Sequence, residues 1–195
     1  LDDKVAFEVA KKHREYGRTR AIYEAKQYPD IENTLKTLKE YGCKLGVATL
    51  KSQGIAETVL KNQDLYSYMD VVVGMNDSET MTKADTIRQA MSTLCIANNV
   101  LMVGDSVYDF EGAVNVGVDF IGVLYGFGFK KEDAEFYSSK IKFIREPKEL
   151  LNLVTAEFAK WKEVLAGQVM TFKYHENKKT NKNRNSYDFC NCYTD

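Results

Sequence analysis

Apolar positions along the chain change their period several times, and the changes divide it into elements. Residues Asp2 to Lys26 are helix-like but heavily charged, with Val5, Val9, Tyr16, Ile22 and Tyr23 as scattered apolar points and Gly17 as a break. So thin a stripe predicts a helix that packs against another element rather than standing alone. Tyr28-Pro29-Asp30 marks a boundary, after which Ile31, Leu35 and Leu38 give an i, i+4, i+7 face that Gly42 ends. The run Lys44 to Leu50 reads as a buried strand ending on Thr49, and Ser52 offers an N-cap to a helix that turns Ile55, Val59 and Leu60 inward. A strand over Asp70 to Val73 and a polar loop from Gly74 to Met81 lead to a helix from Thr82 to Leu94, with Ile87, Met91 and Leu94 as its face. Val100 to Val103 is again short and apolar, Gly104-Asp105 ends it, a helix carries Asp109, and Val118 to Leu124 returns to strand.

Strands alternating with helices of this length predict right-handed crossovers and a mainly parallel sheet with helices on both faces, an α/β, three-layer, Rossmann-like architecture. Ligands of such sheets bind at the carboxyl ends of the strands, where Thr49 and Asp105 fall. Beyond Gly128 the pattern weakens to a short helix over Lys131 to Tyr137 and an edge strand over Lys140 to Ile144. Pro147 then opens a helix with Leu150, Leu151, Val154, Phe158, Trp161 and Val164. Residues 151–170 belong to that C-terminal helix, and 171–195, rich in Asn and Lys with almost no aliphatic residues, to a flexible polar tail.

Composition narrows the function classes. An apolar fraction of 44% with 28% charged residues is ordinary for a globular protein, and no apolar run approaches the roughly 18 residues that span a membrane. The opening LDDKVAFEVAKKHRE is too charged for a secretory signal, so the chain reads as cytoplasmic. With 27 basic and 28 acidic residues the balance predicts neither nucleic-acid nor membrane attraction. The tail is the one candidate for contact with RNA or an acidic partner, and its Glu176, Asp188 and Asp195 weigh against that. Cys43, Cys95, Cys190 and Cys192 form neither a disulfide framework nor a zinc pattern. The pattern carries no signal of oligomeric state.

Candidate chemistry concentrates in Asn99 to Gly112. Asp105 and Asp109 are four residues apart, so a helix starting here would stack two like charges on one face, an arrangement that invites a compensating hard cation such as Mg²⁺. The plain alternative is an N-capping Asp105 and a solvated Asp109. Lys83 falls in the first turn of its helix, where a cation opposes the macrodipole unless an anion binds beside it. A hydroxyl from Thr49 for a phosphate oxygen, Lys83 to neutralise it and paired carboxylates for Mg²⁺ make up the equipment of phosphoryl transfer.

In this order VATLKS, TKADTIRQAM and VGDSVYDFEGA resemble motifs II, III and IV of the haloacid dehalogenase (HAD) superfamily of aspartate-nucleophile phosphatases. YPDIENTLKTLKEYGCKLGVATL is similar to the superfamily's phosphoglycolate phosphatase-like branch. The resemblance spans about Tyr28 to Leu150 and implies a HAD-like α/β core over 28–150. By that likeness Thr49 binds the transferring phosphoryl group, and Lys83 balances its charge and that of the nucleophile. Asp105 ligates Mg²⁺, Asp109 supports the metal directly or through water, and Lys51 and Ser52 line the phosphate approach. The implied substrate is a small phosphorylated metabolite, such as phosphoglycolate or a nucleoside monophosphate, hydrolysed through an aspartyl-phosphate.

One departure accompanies the match. The superfamily carries an N-terminal D-x-D-x-T/V element whose first Asp attacks phosphorus, and no D-x-D occurs in this sequence. Residues 1–27 resemble the last helix of a cap domain, so the expectation is a core with its cap largely missing and its nucleophile strand upstream of Leu1. This chain alone is then expected to be inactive. The competing expectation is a catalytically inactive HAD-like binding or regulatory protein. A phospho-acceptor receiver domain shares the residue types, but there the acidic residues precede the Thr and Lys, whereas here Thr49 and Lys83 precede Asp105 and Asp109.

Overall fold

The computed structural model describes residues 2–16, 20 and 22–155. Two helices come first, α1 (Asp3–Tyr16) and the single turn α2 (Ile22–Glu24). Then follow α3 (Ile31–Glu40), β1 (Gly46–Ser52), α4 (Gln53–Asn62), β2 (Val71–Met75), α5 (Lys83–Thr93) and β3 (Leu101–Gly104). The series closes with α6 (Val107–Val116), β4 (Asp119–Val123), α7 (Lys131–Phe136) and β5 (Lys142–Ile144). The order is the one that periodicity predicts, with β1 running on past Thr49 to Ser52. Residues 149–155 are helical. Phe158, Trp161, Val164 and the 171–195 tail lie outside the described residues.

Two helix ends show how local sequence sets these boundaries. Gly42 and Gly117 adopt φ of 83° and 79°, a conformation that costs glycine little and other residues more. At the first, the Cys43 N–H donates to the Leu38 carbonyl and the Gly42 N–H to Lys39. At the second, Val118 donates to Ala113 and Gly117 to Val114. Both are Schellman closures, which satisfy the last carbonyls and turn the chain into the next strand.

Among the described residues every strand pair is parallel, β1 with β2, β3 with β4 and β4 with β5. The pairs fall into two sheets, β1–β2 and β3–β4–β5, where the pattern alone suggested one. Each of β1 and β3 therefore ends a sheet and keeps one row of backbone donors and acceptors unpaired by any described strand. Leu50 on β1 and Leu101 on β3 remain 44% and 38% exposed, so apolar side chains as well as backbone stay uncovered at these two strands. Helices hold the halves together: α4 and α5 pack on β1 and β2, α6 packs on β3 and β4, and α5 lies against α6.

The core is built from Val73 of β2, Ala84, Ile87 and Ala90 of α5, Ala113 of α6, and Ile121 and Val123 of β4, all buried. Beside it Phe129, 3% exposed, meets Phe120, Tyr137 and Phe143 at ring distances of 6.3, 6.2 and 5.1 Å, edge to face. Such pairs add about 0.5–1.5 kcal/mol each beyond the area they bury. Two expected faces differ. On α4 the buried residue is Ala56, with Ile55, Val59 and Leu60 half-buried around it, because a small side chain lets the helix backbone approach the sheet. On α1 the expected packing is not met, since Val5, Phe7 and Val9 stay 46%, 62% and 59% exposed.

Asp70 fastens α3 to the start of β1. One carboxylate oxygen accepts from Lys39 Nζ and from the Leu45 N–H, each at 2.7 Å, and Lys44 Nζ lies 3.6 Å from the other. Burial pushes the Asp70 carboxyl up, but Lys39, the Leu45 amide and Lys44 outweigh it and hold the group below its ordinary value. A depressed carboxyl stabilises the fold above its unfolded value, near pH 4, and that contribution is lost as pH falls through the folded value. Acid titration of thermal unfolding is therefore expected to show a loss below about pH 4 that is smaller in Asp70→Asn.

Candidate active site

Register breaks in β1 where the candidate threonine sits. Gly46, Val47 and Ala48 pair in step with Val71, Val72 and Val73, but the next pair is Ser52 with Met75, so Thr49 to Lys51 bulge out of the ladder. Thr49 is half-buried and its Oγ1 accepts from the Lys51 N–H at 3.2 Å, a local turn that raises the strand end away from β2. Gln53 repairs the ladder. Its side-chain carbonyl accepts from the Gly74 N–H at 2.6 Å and its amide donates to the Val72 carbonyl at 3.0 Å. Ser52 is the N-cap of α4 by position, but its hydroxyl makes no capping bond. Lys51 is exposed.

Both helices that bring charge to the site begin with a reciprocal cap. At α5 the Thr82 hydroxyl accepts from the Asp85 N–H while Asp85 accepts from the Thr82 N–H, which places an anion in the first turn. At α6 the Ser106 hydroxyl accepts from the Asp109 N–H at 3.3 Å. Asp109 Oδ2 in return accepts from the Ser106 N–H at 3.2 Å and from the Ser106 hydroxyl at 2.8 Å. The N-cap is thus Ser106, and Asp105 lies before the helix rather than one turn below Asp109 on its face. Consequently the two carboxylates are held by different partners.

Lys83, the first residue of α5, joins the halves of the molecule. Its ammonium donates to the Ala48 carbonyl at 2.8 Å and pairs with Asp109 Oδ1 at 2.6 Å, with side-chain exposures of 14% for Lys83 and 9% for Asp109. Ala48 immediately precedes Thr49, so the ammonium of α5 and the carboxylate of α6 meet beside the β1 residue before the candidate threonine. Asp105 faces the loop that follows β4. Its Oδ2 accepts from the Phe127 N–H at 2.7 Å and the Gly128 N–H at 3.2 Å, and its own carbonyl accepts from the Phe129 N–H at 2.6 Å. A Cβ on Gly126 or Gly128 would collide with Asp105, so the loop can wrap it only with glycine at both positions.

Tyr28 and Tyr125 pack edge to face at 5.0 Å close to this carboxylate. Burial, then the charge of Asp105, pushes the Tyr28 phenol up. Burial, with Tyr28 and Asp105 behind it, takes Tyr125 up to about 12. Both phenols keep their protons at any physiological pH. Tyr125, Gly126 and Gly128 went unmarked in the sequence; two glycines at alternate positions straight after an apolar strand were the available signal.

Asp105 keeps one oxygen to which no described residue donates, whereas both oxygens of Asp109 are engaged. Among the described residues no three His, Cys, Asp or Glu side chains converge. Among the described residues the carboxylate oxygen left open for a divalent cation at this site is that of Asp105, and water or other groups would have to complete the six oxygens that Mg²⁺ requires. Lys51 and Ser52 make no described contact with Lys83 or Asp105. No helix among the described residues is long and apolar enough to cross a membrane.

Comparison with known proteins bears on the family and the fold. A phosphoglycolate phosphatase of Caulobacter vibrioides is 31% identical over 139 residues, covering 68% of this chain and 57% of its own length. A 5'-nucleotidase of Pseudomonas aeruginosa is 32% identical over 134 residues, covering 68% and 61%. The chain thus spans about three fifths of these relatives. A haloacid dehalogenase-like family hydrolase of Streptococcus pneumoniae superposes with a TM-score of 0.70 at 28% identity, covering 79% of this chain and 71% of that one. The family model for haloacid dehalogenase-like hydrolases matches residues 2–123, which include Thr49, Lys83, Asp105 and Asp109, and the chain belongs to that family.

Proposed function

We propose that this chain is the phosphate- and cation-binding part of a cytoplasmic, Mg²⁺-dependent phosphatase acting on a small phosphomonoester through an aspartyl-phosphate. The observation that carries the reading is the Lys83 ammonium, held at the carboxyl end of β1 against Ala48 and Asp109. Thr49 donates its hydroxyl to a phosphoryl oxygen, and Lys83 neutralises the charge that develops on the others. Asp105 offers its free oxygen to the cation, and Asp109 fixes Lys83 and adds negative potential behind it. Bound Mg²⁺ would supply charge neutralisation at the phosphoryl oxygens. Lys51 and Ser52 border the approach.

The attacking carboxylate comes from outside these 195 residues. Two features support that: no D-x-D is present, and β1 and β3 each end a sheet beside the lysine, leaving an edge to which a further strand can pair. The domain plan follows, with 28–150 as the core, 1–27 as the end of a cap, and the rest of cap and nucleophile strand upstream. A second reading, a binding protein of the same fold that never hydrolyses, draws on the same missing motif.

Hydrolysis of p-nitrophenyl phosphate with and without Mg²⁺ tests the proposal. The 195-residue chain is expected to show none, and a chain extended upstream to include a D-x-D strand is expected to turn over with Mg²⁺. Turnover by the 195 residues themselves, lost in Asp105→Ala, would mean that the nucleophile lies within them. An extended D-x-D chain that binds phosphate without cleaving esters would favour the second reading.

A further inference from the structure

We infer that Gly112 is a positioning residue for Lys83, kept without a side chain so that the lysine stem can lie across α6 and bring its ammonium between Ala48 and Asp109. A Cβ built at Gly112 would stand 2.5 Å from Lys83 Cγ and 3.0 Å from Lys83 Cβ, with the Ala84 N–H nitrogen at 3.4 Å. The collision is with the root of the lysine, next to the backbone of α5, and not with its mobile end. A stem displaced at Cγ must take another path to bring Nζ to both of its present partners, and that path starts against the packed face of α6.

The surroundings leave no room for an easy adjustment. Gly112, Ala84 and Ala113 are all buried where α5 lies against α6. Asp109, on the same helix as Gly112, is fixed by Ser106 and backed by Gly104, where any Cβ would run into the Asp109 side chain. The two glycines thus border the ion pair from opposite members, Gly104 at the carboxylate and Gly112 at the lysine. A glycine within a helix is otherwise unfavourable, since alanine in that position has the higher intrinsic propensity. At residue 112 the helix gives up that gain, and the collision with Lys83 accounts for it.

A double-mutant cycle on the 195-residue chain tests this, using Gly112→Ala in the native and in the Lys83→Ala background. Three readouts are taken: the melting temperature, the side-chain εCH₂ resonances of Lys83, and the affinity for inorganic phosphate. In the native background Gly112→Ala is expected to lower the melting temperature by about 3–10 °C, as overpacking does in a domain of this size. It is also expected to move the Lys83 resonances toward those of a solvent-exposed lysine and to weaken phosphate binding at least about tenfold, as loss of a charged hydrogen bond does. With Lys83→Ala the 2.5 Å collision is gone and only the 3.0 Å approach to Cβ of residue 83 remains, so the same substitution is expected to lower the melting temperature by less than half as much.

An equal loss of stability in both backgrounds overturns the inference, since Gly112 would then serve only the approach of the two helices. Unshifted Lys83 resonances in Gly112→Ala overturn it as well. If Gly112→Ala alone does not fold, folding of the double variant supports the inference and its failure to fold contradicts it. The phosphate arm rests on the proposed role of Lys83, whereas the melting and resonance arms do not. Native protein that binds no phosphate but passes those two arms would remove the functional reading and leave the positioning intact.

Discussion

Replacing Lys83 by Met is expected to lower the unfolding free energy by about 3–5 kcal/mol, a fall of roughly 10–15 °C in melting temperature for a domain of this size. The reason is asymmetric. The ion pair need not contribute much by itself, because taking two charges out of water offsets most of their attraction. Once the ammonium is gone, however, Asp109 remains with a side chain only 9% exposed and no cation beside it. The Ala48 carbonyl loses its donor at the same time. Adding Asp109→Asn to Lys83→Met is expected to recover a large part of the loss, since the amide carries no charge and still accepts from Ser106. Calorimetry of the two single variants and the double measures this directly. A near-additive double would show that the pair is not the unit it is taken to be.

Asp105→Ala carries the second large effect, and here the affected quantity is cation binding. The carboxylate does two things: it accepts from the Phe127 and Gly128 amides through one oxygen and leaves the other to solvent or a cation. Alanine removes both. Asparagine removes only the charge and keeps an oxygen for the loop amides. Mg²⁺ titration followed by amide resonances of Asp105 to Gly112 and Tyr125 to Phe129 is therefore expected to show at least about tenfold weaker binding in both variants. Only Asp105→Ala is expected to lose stability, by about 1 kcal/mol, because Phe127 and Gly128 are exposed enough for water to replace the acceptor. Equal Mg²⁺ affinity in native and Asp105→Asn protein would place the cation elsewhere.

The features that the sequence carried plainly were those written in local chemistry. Strand and helix order followed from periodicity, the Gly42 stop from the need for a positive φ, and the Thr49, Lys83 and Asp109 set from the order of three short motifs. In the fold Lys83 touches Asp109 and the carbonyl of Ala48, the residue before Thr49. The sequence leaves the start of α6 open, because either Asp105 or Ser106 can cap, and only the reciprocal bond between Ser106 and Asp109 decides between them.

What stayed hidden depends on distant partners. Gln53 looks like any exposed amide until Val72 and Gly74 are beside it, more than 15 residues later in the chain. Gly112 looks like a weak point in a helix until the stem of Lys83 crosses it. The division into two sheets could not be read from residues 1–195, because each βα unit predicts a strand without saying which strand will pair with its other edge.

The most direct test of the account is a titration of the 195-residue chain with inorganic phosphate in the presence of Mg²⁺, followed residue by residue by NMR. Saturable shifts are expected at Thr49, Lys51, Ser52, Lys83 and Asp105, and they are expected to vanish in Lys83→Met. Phosphate that leaves those amides unmoved, or that binds equally well without Lys83, would contradict the claim that β1, α5 and the end of β3 together form a phosphate site.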